Sequence, residues 1–93
     1  MAEETLWVKE VEEGTKVGLT PFAQDDLGGV SFVLLPKVGR VIEKGEEVVE
    51  IEAEKAVVEY ESPVAGTIVA INEEAAKTPS ILDQPDAWLY IVK

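Results

Sequence analysis

Cysteine and histidine are both missing from the 93 residues, and the two absences remove much of the usual chemistry of proteins. Without cysteine there is no disulfide framework, no thiolate zinc site and no sulfur nucleophile. Without histidine there are no imidazole metal ligands, no serine–histidine triads and no imidazole general base. Carboxylates alone can bind a hard cation, but the acidic residues are scattered and form no loop with calcium-site spacing. Basic residues are scarce as well: eight Lys and Arg stand against nineteen Asp and Glu, for a net charge of −11. A surface so negative repels phosphate backbones and anionic headgroups, so neither nucleic acid nor a membrane surface is an expected partner. It favours basic protein partners and helps keep a small protein soluble and monomeric. Long apolar runs are also lacking. Met1-Ala2-Glu3-Glu4-Thr5 has neither the basic start nor the apolar stretch of a signal peptide, and a cytoplasmic or otherwise reducing compartment is expected.

What remains is a composition of 46% hydrophobic and 29% charged residues, typical of a globular domain. The length holds one domain, residues 1–93, with little room for a deep active site. A non-catalytic binding or carrier module fits better than an enzyme.

Prolines and glycines cut the chain into short runs rich in valine and isoleucine, as in an all-β domain with one or two brief helices. A first hairpin is expected from residues 5–10 and 16–19, turning through Glu12-Glu13-Gly14-Thr15 with Gly14 at positive φ. Thr20 as N-cap, Pro21 at the first helical position and Gly28 past the end predict a short helix, with Phe22 and Leu27 facing the core. Further strands are expected over residues 30–35, 40–42, 47–53, 56–61, 66–71 and 88–92. Asn72 can cap a second helix over residues 73–77, ended by Thr78-Pro79. Pro36, Gly39, Val41 and Ile42 recur as Pro63, Gly66, Ile68 and Val69. Two similar β-units facing one another would close a flattened barrel; the alternative is a chance match of common turn chemistry.

The segment from Val48 to Glu61 carries the functional argument. Val49, Ile51 and Ala53 alternate with Glu50, Glu52 and Glu54, and the alternation resumes beyond Lys55 with Ala56, Val58 and Tyr60. Two half-buried strands therefore meet near Glu54-Lys55. Tight hairpins usually place asparagine, aspartate or glycine in the turn, yet this one holds a glutamate and a lysine. A lysine at a rigid hairpin tip offers its amine to a modifying enzyme. The plain alternative is a surface lysine among charge-balancing glutamates.

Several stretches together resemble the H protein family of the glycine cleavage system, lipoyl carriers of the biotinyl/lipoyl-attachment fold. Residues 18–28, Gly-Leu-Thr-Pro-Phe-Ala-Gln-Asp-Asp-Leu-Gly, resemble the family's Gly-Ile-Thr-x-Tyr-Ala-Gln-x-x-Leu-Gly. Residues 32–39, Phe-Val-Leu-Leu-Pro-Lys-Val-Gly, resemble its Phe-Val-x-Leu-Pro-x-x-Gly. Glu52-Ala53-Glu54-Lys55-Ala56 is similar to its Glu-Ser-x-Lys-Ala attachment turn, and residues 62–66 to the Ser-Pro-x-x-Gly that follows. The resemblance implies a flattened β-barrel, or barrel-sandwich hybrid, with lipoate held as N6-lipoyllysine at Lys55. It implies that Glu52, Glu54 and Ala56 help an attaching enzyme, a lipoate ligase or lipoyl transferase, to read the turn. It further implies a carrier that takes an aminomethyl group from a glycine decarboxylase to an aminomethyltransferase and is reoxidised by a dihydrolipoamide dehydrogenase.

The chain departs from the family pattern at Thr5-Leu6-Trp7, where the family has His-Glu-Trp, and at Leu27-Gly28-Gly29, where it has Leu-Gly-Asp. The family pattern also has a longer leader before the first site and a helix after the last strand. Three alternatives stay open: an H-protein-like lipoate carrier of another pathway, such as lipoyl relay or sulfur oxidation; a cofactor-free acidic interaction module; and, disfavoured by the lack of a Met-Lys-Met turn, biotin attachment.

Overall fold

The structure is a computed structural model that describes residues 5–93. Eight strands, β1 Leu6–Val11, β2 Gly14–Leu19, β3 Val30–Leu34, β4 Val41–Ile42, β5 Glu47–Ala53, β6 Val57–Glu61, β7 Gly66–Ile71 and β8 Trp88–Val92, alternate with helices α1 Pro21–Leu27 and α2 Glu73–Lys77 and a 3-10 turn over Pro79–Asp83. The strands form two sheets, one ordered β1-β2-β8-β7-β4 and the other β3-β5-β6. Every pairing is antiparallel. Val17, Leu19, Ile68, Leu89 and Tyr90 from the larger sheet and Val33, Val49, Ile51 and Tyr60 from the smaller share one buried cluster. This is the flattened barrel that the resemblance implies. Among the described residues no helix is long and apolar enough to cross a membrane.

The first hairpin turns at Glu12-Glu13, since Val11 pairs with Gly14. Gly14 thus opens β2 rather than lying inside the turn. Its φ is +148°, and an added Cβ would sit 2.2 Å from the Val92 carbonyl oxygen, so close passage of β8 adds a second demand for glycine there.

Helix α1 forms as its caps predict: the Thr20 side chain accepts from the Ala23 N–H at 3.2 Å, and the Gly28 N–H closes on the Gln24 carbonyl at 3.0 Å. Seven residues are too few for a stable isolated helix, so packing must hold it. Ala23 and Leu27, four residues apart on one face, are fully buried. Burying Leu27 contributes about 2 kcal/mol. Phe22 does not face the core; it is 45% exposed, because at 100° per residue it lies off the stripe that Ala23 and Leu27 define. Asn72 caps α2 through its side-chain oxygen, which accepts from the Ala75 N–H at 3.4 Å.

The two similar β-units do meet, with Val41 opposite Thr67 and Ile42 opposite Gly66. Their faces are inverted, however. Val41 is exposed where its counterpart Ile68 is buried, and Ile42 is buried where Val69 is exposed. The likeness lies in turn chemistry and not in register.

Behind the smaller sheet's far end, the Tyr90 hydroxyl donates to Ser62 Oγ at 2.9 Å, and that hydroxyl in turn donates to the Val64 carbonyl at 2.7 Å. Burial pushes the Tyr90 phenol up, partly offset by the Ser62 hydrogen bond. Burial and the charge of Asp26 push Tyr60 up as well. A raised phenol favours the fold fully below its unfolded pKa of about 10, and that contribution disappears as pH climbs through the folded-state value. Urea unfolding is therefore expected to show a loss of stability between about pH 8 and about pH 11 that Tyr90→Phe reduces and does not abolish, because Tyr60 remains. At the lower pH the same variant is expected to cost about 1 kcal/mol, the worth of the lost hydrogen bond.

Candidate attachment site

Strands β5 and β6 pair from Glu47–Glu61 to Glu52–Val57, and Glu54-Lys55 forms the bend beyond the last pair. The Ala53 N–H donates across the bend to the Ala56 carbonyl at 2.9 Å. Neither Glu54 nor Lys55 has positive φ; Asp86 is the one described non-glycine residue that does. The bend accommodates a glutamate and a lysine without backbone strain, so no turn residue has been sacrificed to place them there.

What shapes the bend lies outside the hairpin. The Glu54 N–H donates to the Gly29 carbonyl at 2.9 Å, and the Gly29 N–H donates back to Glu54 Oε1 at 3.0 Å. The Lys55 N–H donates to the Leu27 carbonyl at 3.0 Å, and Lys55 Nζ to the Asp25 carbonyl at 3.1 Å. Leu27 and Asp25 supply two of the four carbonyls that the end of any helix leaves unpaired. The bend thus caps α1, and the Lys55 ammonium lies at the helix end where positive charge is favoured. Helix α1 has no basic residue of its own in its last turn.

The glycine pair lies close against the bend, and Gly28 also has a backbone conformation that favours glycine. Gly28 has φ +73°, and a Cβ there would lie 3.3 Å from Lys55 Cγ; one on Gly29 would lie 3.0 Å from Glu54 Oε1. The sequence marks Gly28 as the helix stop. That the bend rests on Gly28-Gly29 was carried by no local pattern, although two adjacent glycines after a helix signal that something passes close.

The side chains singled out in the sequence divide into distinct settings. Lys55 is exposed, and among the described residues its amine is engaged through a hydrogen bond to the Asp25 carbonyl. An exposed hydrogen bond of this kind contributes about 1 kcal/mol. The amine is therefore readily released, and it is less free of contacts than a lysine held wholly in solvent. Glu52 is exposed beside it on β5. Glu54 is committed to Gly29, and Ala56 is half-buried against the core.

Comparison with known proteins identifies the family. The family model described as "Glycine cleavage H-protein" matches residues 1–93. The chain belongs to the glycine cleavage H-protein family. It is 42% identical to a probable glycine cleavage system H protein of Pyrococcus furiosus over 94 residues, covering 98% of this chain and 70% of that one. It is 41% identical to a glycine cleavage system H protein of Thermus thermophilus, covering 94% and 70%. The crystal structure of the H protein from Mycobacterium marinum superposes with a TM-score of 0.85 at 31% identity, over 95% of this chain and 76% of that one. H-protein membership makes the chain a non-catalytic carrier component, and the match in structure establishes the barrel-sandwich fold.

Replacing Glu54 tests the clamp. Glu54→Ala is expected to speed hydrogen exchange at the Gly29 amide about fivefold, the equivalent of about 1 kcal/mol, with global stability little changed. Glu54→Gln keeps an acceptor oxygen and is expected to preserve the wild-type rate.

Proposed function

We propose that this chain carries lipoate as an amide on Lys55 Nζ and serves glycine cleavage, moving an aminomethyl group between catalysts that it does not itself contain. The observation that supports this is an exposed primary amine on a bend whose backbone is held by Leu27 and Gly29. The residues present fit the group. Nζ is the nucleophile an acyl group needs, and releasing it from Asp25 leaves in place the three hydrogen bonds that join the bend to Leu27 and Gly29.

Attachment needs little from the chain beyond presentation. As a free amine, Nζ attacks the carbonyl carbon of an activated lipoyl donor. The C–N bond forms, the bond to the activating group breaks with its electron pair leaving on that group, and the nitrogen sheds a proton to solvent. The product nitrogen is a neutral amide, so the charge that favoured the end of α1 is gone and the arm is freer to leave it. When bound, the dithiolane supplies reversible redox and group-carrying chemistry.

The chain's own part is physical. A stiff base with a flexible extension keeps the carried group at high effective concentration around each docked partner and aims it outward. The partners are those of glycine cleavage: a glycine decarboxylase, an aminomethyltransferase and a dihydrolipoamide dehydrogenase, with a lipoate ligase or lipoyl transferase acting first. The carrier is read as a cytoplasmic monomer, its strong negative charge opposing self-association.

Incubated with lipoate, ATP and a lipoate ligase, the chain is expected to gain one lipoyl group by intact mass, and Lys55→Arg none. An equal gain in the variant would place attachment elsewhere. The lipoylated chain, mixed with a glycine decarboxylase, is expected to support exchange of bicarbonate carbon into the glycine carboxyl. Lipoylation without exchange would favour another lipoyl-dependent pathway.

A further inference from the structure

The outer face of the three-stranded sheet starts at the Lys55 bend, and its composition does not serve folding. Register places Phe32, Glu52 and Val57 side by side in the row nearest the bend, and Leu34, Glu50 and Glu59 in the next. Between them, Val33 and Ile51 point inward and are buried. Phe32 is 43% exposed, Leu34 58% and Val57 68%. Three large apolar side chains thus lie in water among three carboxylates.

The charges are also arranged against the fold. Glu50 faces Glu59 directly across the β5–β6 pair, and like charges so placed destabilise a sheet. Among the described residues the salt bridge is Arg40–Glu46, so neither Glu50 nor Glu59 is in a close ion pair, although Lys37 and Arg40 line the same groove as Leu34, Glu50 and Glu59. At the far end of β5, the charge on Glu59 and a hydrogen bond with it push the Glu47 carboxyl above the usual carboxylate range, with desolvation and Glu61 adding to the effect.

Resting on the reading of Lys55 as the attachment point, we propose that this face is the docking surface for the enzyme that acylates Lys55, which presents lysine and arginine side chains around a shallow apolar patch. Charge complementarity sets the sign of the partner. Geometry selects the attaching enzyme among the possible visitors. Before acylation only the lysine side chain extends from the bend, so the enzyme must seat its activated carbonyl close against the surface beside residue 55. Catalysts visited afterwards are reached by a longer arm and can dock farther away. The row of Phe32, Glu52 and Val57 is the surface next to the bend, and the second row extends it.

The test uses the purified, unmodified full chain as substrate of an ATP-dependent lipoate ligase, with lipoyl transfer followed by mass. Glu50→Lys/Glu59→Lys keeps a like-charged pair across the strands while the sign of the face is reversed. Glu12→Lys/Glu13→Lys makes the same charge change in the β1–β2 turn. The first pair is expected to raise KM about tenfold with kcat within about twofold, and the second to change KM less than about twofold. The wild-type kcat/KM is expected to fall with added salt, and that dependence to be weakened by the first pair. Phe32→Thr/Leu34→Thr, which leaves every charge in place, is expected to raise KM by a similar factor. Equal slowing by both charge pairs would mean that overall field and not this face is sensed, and would overturn the proposal. So would wild-type KM in both the charge-reversed and the threonine variants, or a fall in kcat at unchanged KM. Wild-type chain that is lipoylated at Lys55 in the same assay keeps the attachment reading intact whichever way the variants behave; wild-type chain that gains no lipoyl group overturns both.

Discussion

The end of helix α1 and the β5–β6 bend complete one another. A helix of seven residues finishes with carbonyls that need donors, and a two-residue bend exposes N–H groups that need acceptors. Lys55 and Glu54 donate to Leu27 and Gly29, and Glu54 accepts from Gly29 in return. Each element satisfies groups the other would leave to water. Gly28 and Gly29 permit the contact because a side chain at either would press on the bend.

Stiffness and freedom are thereby separated at one residue. The backbone of Lys55 belongs to the framework, while its amine is tied by an exposed hydrogen bond to the Asp25 carbonyl. In the proposed function, acylation would consume the amine's charge while the backbone contacts, which do not involve Nζ, would stay. A carrier needs this separation, since a loose base would dilute the effective concentration that tethering provides. The three-stranded sheet then has two uses. Its inner face holds the core through Val33, Ile51 and Tyr60, and its outer face is free to meet another protein.

Much of this was legible in the chain before its fold. Alternation of apolar and acidic residues set β5 to the residue, bounding turn residues set β7, the wholly apolar run over residues 88–92 set β8, and the Thr20, Pro21 and Gly28 signals fixed α1. Lys55 stood out because alternation reverses around it. What was not legible depended on tertiary placement. Phe22 looked like a core residue because it is large and apolar, but only the position of the sheets decides which stripe of so short a helix is buried. The likeness between the segments beginning at Pro36 and Pro63 reported shared turns, whereas inward and outward positions are set by which sheet face each strand meets. Glu54 read as a recognition residue; its partner lies 25 residues away, at a distance no local pattern spans. The hairpin pattern shows Lys55 as an amine offered at a tip, and the cap it provides to α1, 30 residues away at Asp25, is likewise hidden in sequence separation.

The separation of rigid backbone from releasable amine is tested most directly by amide hydrogen exchange at Glu54 and Lys55, compared before and after lipoylation of the full chain. Both amides are expected to be protected, and lipoylation to leave their exchange rates within about twofold, the spread expected when a neighbouring exposed bond is lost without opening the backbone. Marked loss of protection on lipoylation would contradict this, because the ammonium contact with Asp25, and not the backbone clamp, would then be what holds the bend.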